Sequence, residues 1–164
     1  MPFRTSAMAV DLGQFINRRF NVNTAILGTW KLISASSSTS DGERNDTAFG
    51  AGPTGFITYN PDGRMSVLVS HGGRKLLSAS PSNPPTPEQI AEAFSTFIAY
   101  AGRYTLKTTE VVHHVDISFM QDWVGTDQTR GIKIEGDRLE LSTPPVSMGG
   151  KIITIEFIWQ RLPA

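Results

Sequence analysis

The chain has 164 residues, the size of one domain, and its 39% hydrophobic content, with 9 Phe, 3 Trp and 3 Tyr, is enough to build a core. Fifteen Lys and Arg balance fifteen Asp and Glu, and without a basic run this excludes the phosphate-neutralising surface of a nucleic-acid binder. There is no cysteine, which rules out disulfides, thiolate metal ligands and cysteine nucleophiles and points to a reducing compartment, the cytoplasm.

No stretch approaches the roughly 18 apolar residues of a membrane span. The first ten residues lack the apolar core of a secretory signal. Residues 8–20 place Leu12, Phe15, Ile16 and Phe20 at helical spacing, so an N-terminal helical segment over 1–26 precedes a barrel domain over 27–164. Leu27 to Ser36 reads as a first strand with Trp30 and Leu32 in one phase. Residues 37–53 are rich in Ser, Gly, Asp and Asn and read as a long loop.

Residues 55–60 and 64–71 are β-rich runs around Pro61-Asp62-Gly63, where Pro fixes φ and Gly accepts a positive one, so a hairpin is expected. After an irregular Ser- and Pro-rich stretch at 76–86, Thr86-Pro87-Glu88-Gln89 reads as a capping box opening a helix. Ile90, Phe94, Phe97 and Ile98 extend its apolar stripe, Gly102 marks its stop, and the expected helix at 87–101 covers one wall or the mouth of the barrel. From there the pattern is β: 103–109, 110–119, 127–135, 138–143 and, after a loop at 144–150, 151–161. The fold class is all-β, an antiparallel up-and-down barrel of about eight strands, wide enough to hold one small ligand.

Gly28-Thr29-Trp30 at the head of the first strand resembles the G-x-W signature that opens lipocalin barrels. In that superfamily the Trp packs at the closed end against an Arg of the final strand, and Arg161 matches that partner. The segments 27–35, 54–66, 99–105, 111–130, 136–145 and 156–161 together resemble the bacterial and fungal lipocalin-like domain proteins across nearly the whole chain. The resemblance implies a calycin-type barrel that carries a ligand, and barrels of related shape also act as cyclases or isomerases in natural-product pathways.

His113 and His114 are neighbours in a strand and face opposite ways. His113 shares its phase with Val111, Val115, Ile117 and Phe119 and is expected inside; His114 shares its phase with Asp116 and is expected to pair with it outside. Arg130 alternates with Ile132 and Ile134, and an interior Arg must meet a carboxylate, a π face or a ligand oxygen. Tyr59, Met65, Tyr104 and Phe157 fall on inward phases, and Trp123 sits at a turn as a lid or rim plug. These seven residues are the candidate ligand-binding set, and His113, Tyr104 and Arg130 would be the catalytic ones if the pocket performs a reaction. His71 reads as a loop-edge residue. Three His without helical spacing and no Cys make no metal site, and no P-loop, G-x-G-x-x-G or nucleophile elbow implies a cofactor or a serine hydrolase. The function expected is a carrier that sequesters a hydrophobic small molecule. The alternative is a cofactor-independent cyclase or isomerase acting on a polyketide- or terpenoid-like intermediate, and a third reading makes the loops 37–53 and 76–86 partner contacts. An oligomer is compatible with the sequence.

Overall fold

Residues 54–59 and 64–70 bury every second side chain, and hiding that apolar side is what bends the sheet round on itself. The computed structural model describes residues 24–77, 80 and 82–163. Among these, ten strands form: β1 (Gly28–Thr39), β2 (Arg44–Asn45), β3 (Thr54–Tyr59), β4 (Arg64–Ser70), β5 (Phe97–Leu106), β6 (Glu110–Ser118), β7 (Asp127–Glu135), β8 (Arg138–Ser142), β9 (Val146–Met148) and β10 (Lys151–Arg161). There is one α-helix, α1 (Pro87–Ser95), and two short 3-10 turns at Thr24–Ile26 and Gln121–Trp123. The expected helix at 8–20 lies outside the described residues. No helix among the described residues is long and apolar enough to cross a membrane.

Strands β1, β3, β4, β5, β6, β7, β8 and β10 pair in that order, all antiparallel, and β10 returns to pair with β1 from Trp30–Arg161 to Thr39–Ile153. The result is a closed eight-stranded up-and-down barrel, with β2 and β9 as short additions along β1 and β10. This order gathers the tight turns at 60–63, 107–109 and 136–137 at one end, the closed end. The longer connections at 40–53, 71–96, 119–126 and 143–150 gather at the other, the mouth.

Trp30 seals the closed end. It is fully buried, its Nε1 donates to Ile26 O at 2.9 Å, and the Arg161 guanidinium stacks 4.0 Å from its ring centroid. Arg161 also donates to Leu27 O, Ala25 O and Asp137 Oδ1, so one side chain ties the head of β1, the turn before it and the β7–β8 turn together. Gly28 has φ +111° and lies against Arg161, with room for a Cβ only 3.5 Å from Nη1. That backbone conformation explains the glycine of G-x-W.

Two bulges shift the phase of the strands. In β1, Ile33 is an extra residue between Leu32 and Ser34, so it turns outward and is 55% exposed. In β6, Asp116 is extra opposite the step from Ala101 to Gly102, and Ile117, expected inside beside His113, is instead 66% exposed. Gly102 is required there, because a Cβ would meet His114 O at 1.9 Å.

The capping box is present as read: Gln89 N donates to Thr86 Oγ1 and Thr86 N donates to Gln89 Oε1. The helix, however, ends at Ser95 rather than 101. Phe97 and Ile98 satisfy helical spacing but pair with Ser70 and Val69 in the barrel, where the β4–β5 ladder overrides the local pattern. Gly102 is therefore a strand residue and no helix stop. Ile90 and Phe94 are 53% and 50% exposed, so α1 packs loosely. It lies at the mouth end, where Phe94 meets Phe119 and Arg74 holds Ala93 O. The expected loops at 37–53 and 144–150 are shorter than read, since Ser37–Thr39 extend the β1–β10 ladder and Val146–Met148 form β9.

Truncation of Trp30 tests the seal. Trp30→Ala is expected to cost about 3–5 kcal/mol in urea unfolding, the usual penalty for deleting a buried aromatic. A loss under about 1 kcal/mol would show that the closed end does not carry the barrel.

Candidate functional site

Above the Trp30 floor the barrel is hollow. A cavity of about 480 Å³ opens towards the mouth, within the size range of small-molecule sites. Ile57, Val67 and Val69 from β3 and β4 form one wall, and Leu141, Ile155 and Phe157 from β8 and β10 form the other. Phe49, Trp123, Pro144 and Val146 from the mouth connections line the rim. Phe49 packs edge-on against Phe157, and Trp123 does the same against Tyr100 and Phe119, so the rim aromatics are anchored to the walls.

Polar groups break this lining on one side. Strand alternation in β6 turns Val111, His113 and Val115 inward, and His113 is 1% exposed. Its Nε2 lies 2.8 Å from Tyr59 Oη and its Nδ1 lies 2.9 Å from Tyr100 Oη. Burial pushes the His113 pKa down to about 3, aided by the charges of Arg130 and His114, so the ring is neutral at pH 7. A neutral imidazole has one N–H and one lone pair. Tyr59 is buried, and His113 is its one hydrogen-bond partner among the described residues. Its hydroxyl proton is satisfied only if it donates to Nε2, which puts the ring proton on Nδ1, donating to Tyr100 Oη. The Tyr100 proton is then left free on a residue that lines the cavity.

Arg130 enters from β7. Its Nη1 donates to Thr129 O at 2.7 Å and its Nη2 reaches Gln128 Oε1 at 3.4 Å. Among the described residues no carboxylate forms an ion pair with it. Burial raises the Tyr100 pKa, and the neighbouring Arg130 works against that rise through charge and hydrogen bonding. Burial holds the Tyr59 hydroxyl far above its ordinary value. Trp159, 1% exposed on β10, also lines the cavity, and its Nε1–H has no acceptor among the described residues.

The structure thus brings His113, Arg130, Trp123 and Phe157 of the expected set to one cavity. It places the other three elsewhere. Tyr59 stands one layer deeper, behind His113. Met65 is buried beside Tyr59 in the core without reaching the cavity wall. Tyr104 stands at the closed end, donating to Asn60 O at 3.1 Å with its ring edge-on to Tyr59, and is too far down the barrel to meet a ligand. Tyr100 falls within the expected helix at 87–101, whose period gives it no inward phase in a strand. Trp159 shared the inward phase of Phe157 but gave no polar signal. Phe49 sits in a loop where no periodicity applies.

Outside the barrel His114 does not pair with Asp116, which instead faces Arg64. The β6 bulge at Asp116 separates the two, and His114 Nδ1 meets Asp127 Oδ1 at 2.7 Å while Nε2 meets Thr105 Oγ1 at 2.8 Å. This cluster has the order of a hydroxyl–imidazole–carboxylate relay and lies on the outer face of β5, β6 and β7, away from the cavity. Among the described residues no three His, Cys, Asp or Glu side chains converge as a metal site.

A family model described as a lipocalin-like domain matches residues 27–162. A 4'-hydroxy-3'-methoxypropiophenone carrier protein of Aspergillus oryzae is 35% identical over 102 residues, which cover 57% of this chain and 86% of the relative. A lipocalin-like protein of Bacteroides uniformis with a solved structure is 14% identical, with 84% of this chain and 99% of that chain covered at a TM-score of 0.41.

The buried imidazole couples folding to pH. The unfolded chain protonates His113 near its ordinary value of 6.5, whereas the folded chain resists until about pH 3. The unfolded state therefore binds more protons in this window, and stability falls as the pH drops below 6.5, by about 2 kcal/mol near pH 5. Urea unfolding at pH 7 and pH 5 measures the loss. In His113→Gln the acid loss is expected to shrink by that amount; an equal loss in both proteins would place its origin elsewhere.

Proposed function

This chain belongs to the lipocalin-like domain family, and from that premise we propose that it is a carrier, binding one apolar small molecule inside the barrel with an acceptor oxygen turned to the polar side. The observation that carries this reading is the contrast within one cavity. Its walls are apolar, while Tyr100 and Arg130 stand together on one side as hydrogen-bond donors and Trp159 adds a further N–H from β10. Such a lining suits a hydrophobic body with a carbonyl, because the body gains from leaving water and the oxygen fixes its orientation. The relative from Aspergillus oryzae is named for carrying an aryl ketone, which has this combination of parts.

A cofactor-independent cyclase or isomerase is the second reading, and the polar groups of the cavity favour it less. Proton transfer needs a group with a free lone pair or a proton to give at working pH. Both His113 nitrogens are occupied by tyrosines, and its conjugate acid is inaccessible above about pH 3. Tyr104 stands away from the cavity. Arg130 could polarise a carbonyl, but the one carboxylate among the described residues that lines the cavity, Asp127, is paired with His114 at the rim.

Tryptophan fluorescence tests the carrier reading, since Trp123 and Trp159 both line the cavity. The aryl ketone 2-acetonaphthone is expected to quench it saturably at one molecule per chain and to be recovered unchanged. Val69→Trp, which fills the cavity, is expected to weaken binding at least about tenfold, near 1.4 kcal/mol. Absence of saturable binding would overturn the proposal, and recovery of a converted product would favour the enzyme.

A further inference from the structure

Arg130 raises a question that a neutral ligand leaves open. Its guanidinium is partly buried at the cavity wall, and the oxygens it meets, Thr129 O, Gln128 Oε1 and the Tyr100 hydroxyl, are uncharged. A cation taken from water into an apolar surrounding is stable only when an opposite charge or a dense set of acceptors replaces the water. The groups around it supply neither. From β6 comes His113, which is neutral; from β3 and β5 come Tyr59 and Tyr100, which are also neutral. From β7 itself comes Asp127 at the rim, whose Oδ1 is engaged by His114 on the outer face. The carboxylates of β8 and β10, Glu140 and Glu156, face outward to Arg138 and Arg44.

The hydrogen-bond inventory leans the same way. Trp159 Nε1–H has no acceptor among the described residues, although the residue is 1% exposed. The tyrosine–imidazole chain leaves the Tyr100 proton without an acceptor among the described residues. Three donors therefore line one apolar cavity, and among the described residues the one carboxylate lining it, Asp127, is turned to His114 at the rim. A neutral carbonyl would satisfy the donors and leave the charge uncompensated; an oxyanion satisfies both.

We infer that the cavity selects an apolar acid bound as its anion, a phenolate, enolate or carboxylate whose charged oxygen sits on Arg130 with Tyr100 and Trp159 as further donors. This deepens the carrier reading and rests on it, since it names the chemical class of the same site. The ligand would surrender its proton to solvent on binding, so a weak acid would bind more tightly as the pH rises towards its own pKa. His113 takes no part in that exchange, being neutral throughout the neutral range.

Two matched probe pairs test the inference on the intact chain. In the first, 7-hydroxycoumarin is compared with 7-methoxycoumarin, which has the same body and cannot ionise. In the second, 2-naphthoate is compared with 2-acetonaphthone. The acid of at least one pair is expected to bind ten times or more tighter than its neutral partner, and the pair that discriminates tells phenolate from carboxylate. For 7-hydroxycoumarin the absorbance of the bound probe reports its ionisation, and a fall of its pKa by about one unit corresponds to tenfold preference for the anion. Arg130→Gln is expected to abolish the preference while the neutral probe still binds, and Arg130→Lys to restore part of it. Equal binding of acid and neutral probe in both pairs would overturn the inference and leave the carrier reading standing. Failure of all four probes to bind would overturn the carrier reading and the inference with it. The wild-type comparisons hold whether or not the variants fold.

Discussion

The stack of Arg161 on Trp30 is the contact on which the rest of the molecule depends. It joins the last strand to the first, and only when those two strands pair does the sheet become a barrel with an inside. It also sets the depth of that inside. Ile155, Phe157, Trp159 and Arg161 share one phase of β10, so fixing Arg161 at the closed end fixes the level of each residue above it. Trp159 stands one step above the seal and begins the cavity, and Phe157 and Ile155 continue its wall towards the mouth. A slip of one residue in the β1–β10 register would turn Trp159 outward and remove both seal and site.

Closure gives the interior two zones of different chemistry. Near the seal the space is filled by Trp30, Ile26, Tyr59 and Met65, all nearly without exposure. Higher up the side chains leave room. At the boundary stands His113, clamped by Tyr59 below and Tyr100 above. It acts as a neutral strut: each of its nitrogens satisfies a tyrosine that would otherwise lose a hydrogen bond in an apolar setting. Its service to the cavity is indirect, since by fixing the direction of the chain it leaves Tyr100 presenting a donor beside Arg130. The lipocalin-like family model spans both zones, over residues 27–162.

Much of this was legible in the amino-acid order, and what was not had definite causes. Trp30 and Arg161 could be matched because Gly28-Thr29-Trp30 resembles the opening signature of lipocalin barrels, a resemblance that implies an Arg partner on the final strand. His113 and Arg130 could be placed inside because Val111, Val115, Ile132 and Ile134 make the phase of their strands plain. The end of α1 could not be read, because Phe97 and Ile98 fit the helical period as well as the strand, and pairing with β4 decides between them. That error concealed Tyr100. The outward turn of Ile117 leaves no mark in the hydrophobic pattern, because it comes from a bulge: one extra residue, Asp116, reverses every side chain beyond it. Tyr104 keeps the inward phase but lies below the cavity, a matter of height in the barrel that periodicity does not encode.

The three tyrosines of the chain all stand near this axis, and that gives the molecule an optical property. Burial raises the hydroxyl pKa of each, least protected at Tyr104 with its partly exposed ring and most at Tyr59. An alkaline titration followed at the phenolate absorption band would therefore record the barrel from its surface inward. The last phenol to lose its proton is enclosed between the seal and His113, where base cannot reach it while the strands stay joined. Its colour change would coincide with the opening of the barrel and mark it without an added dye.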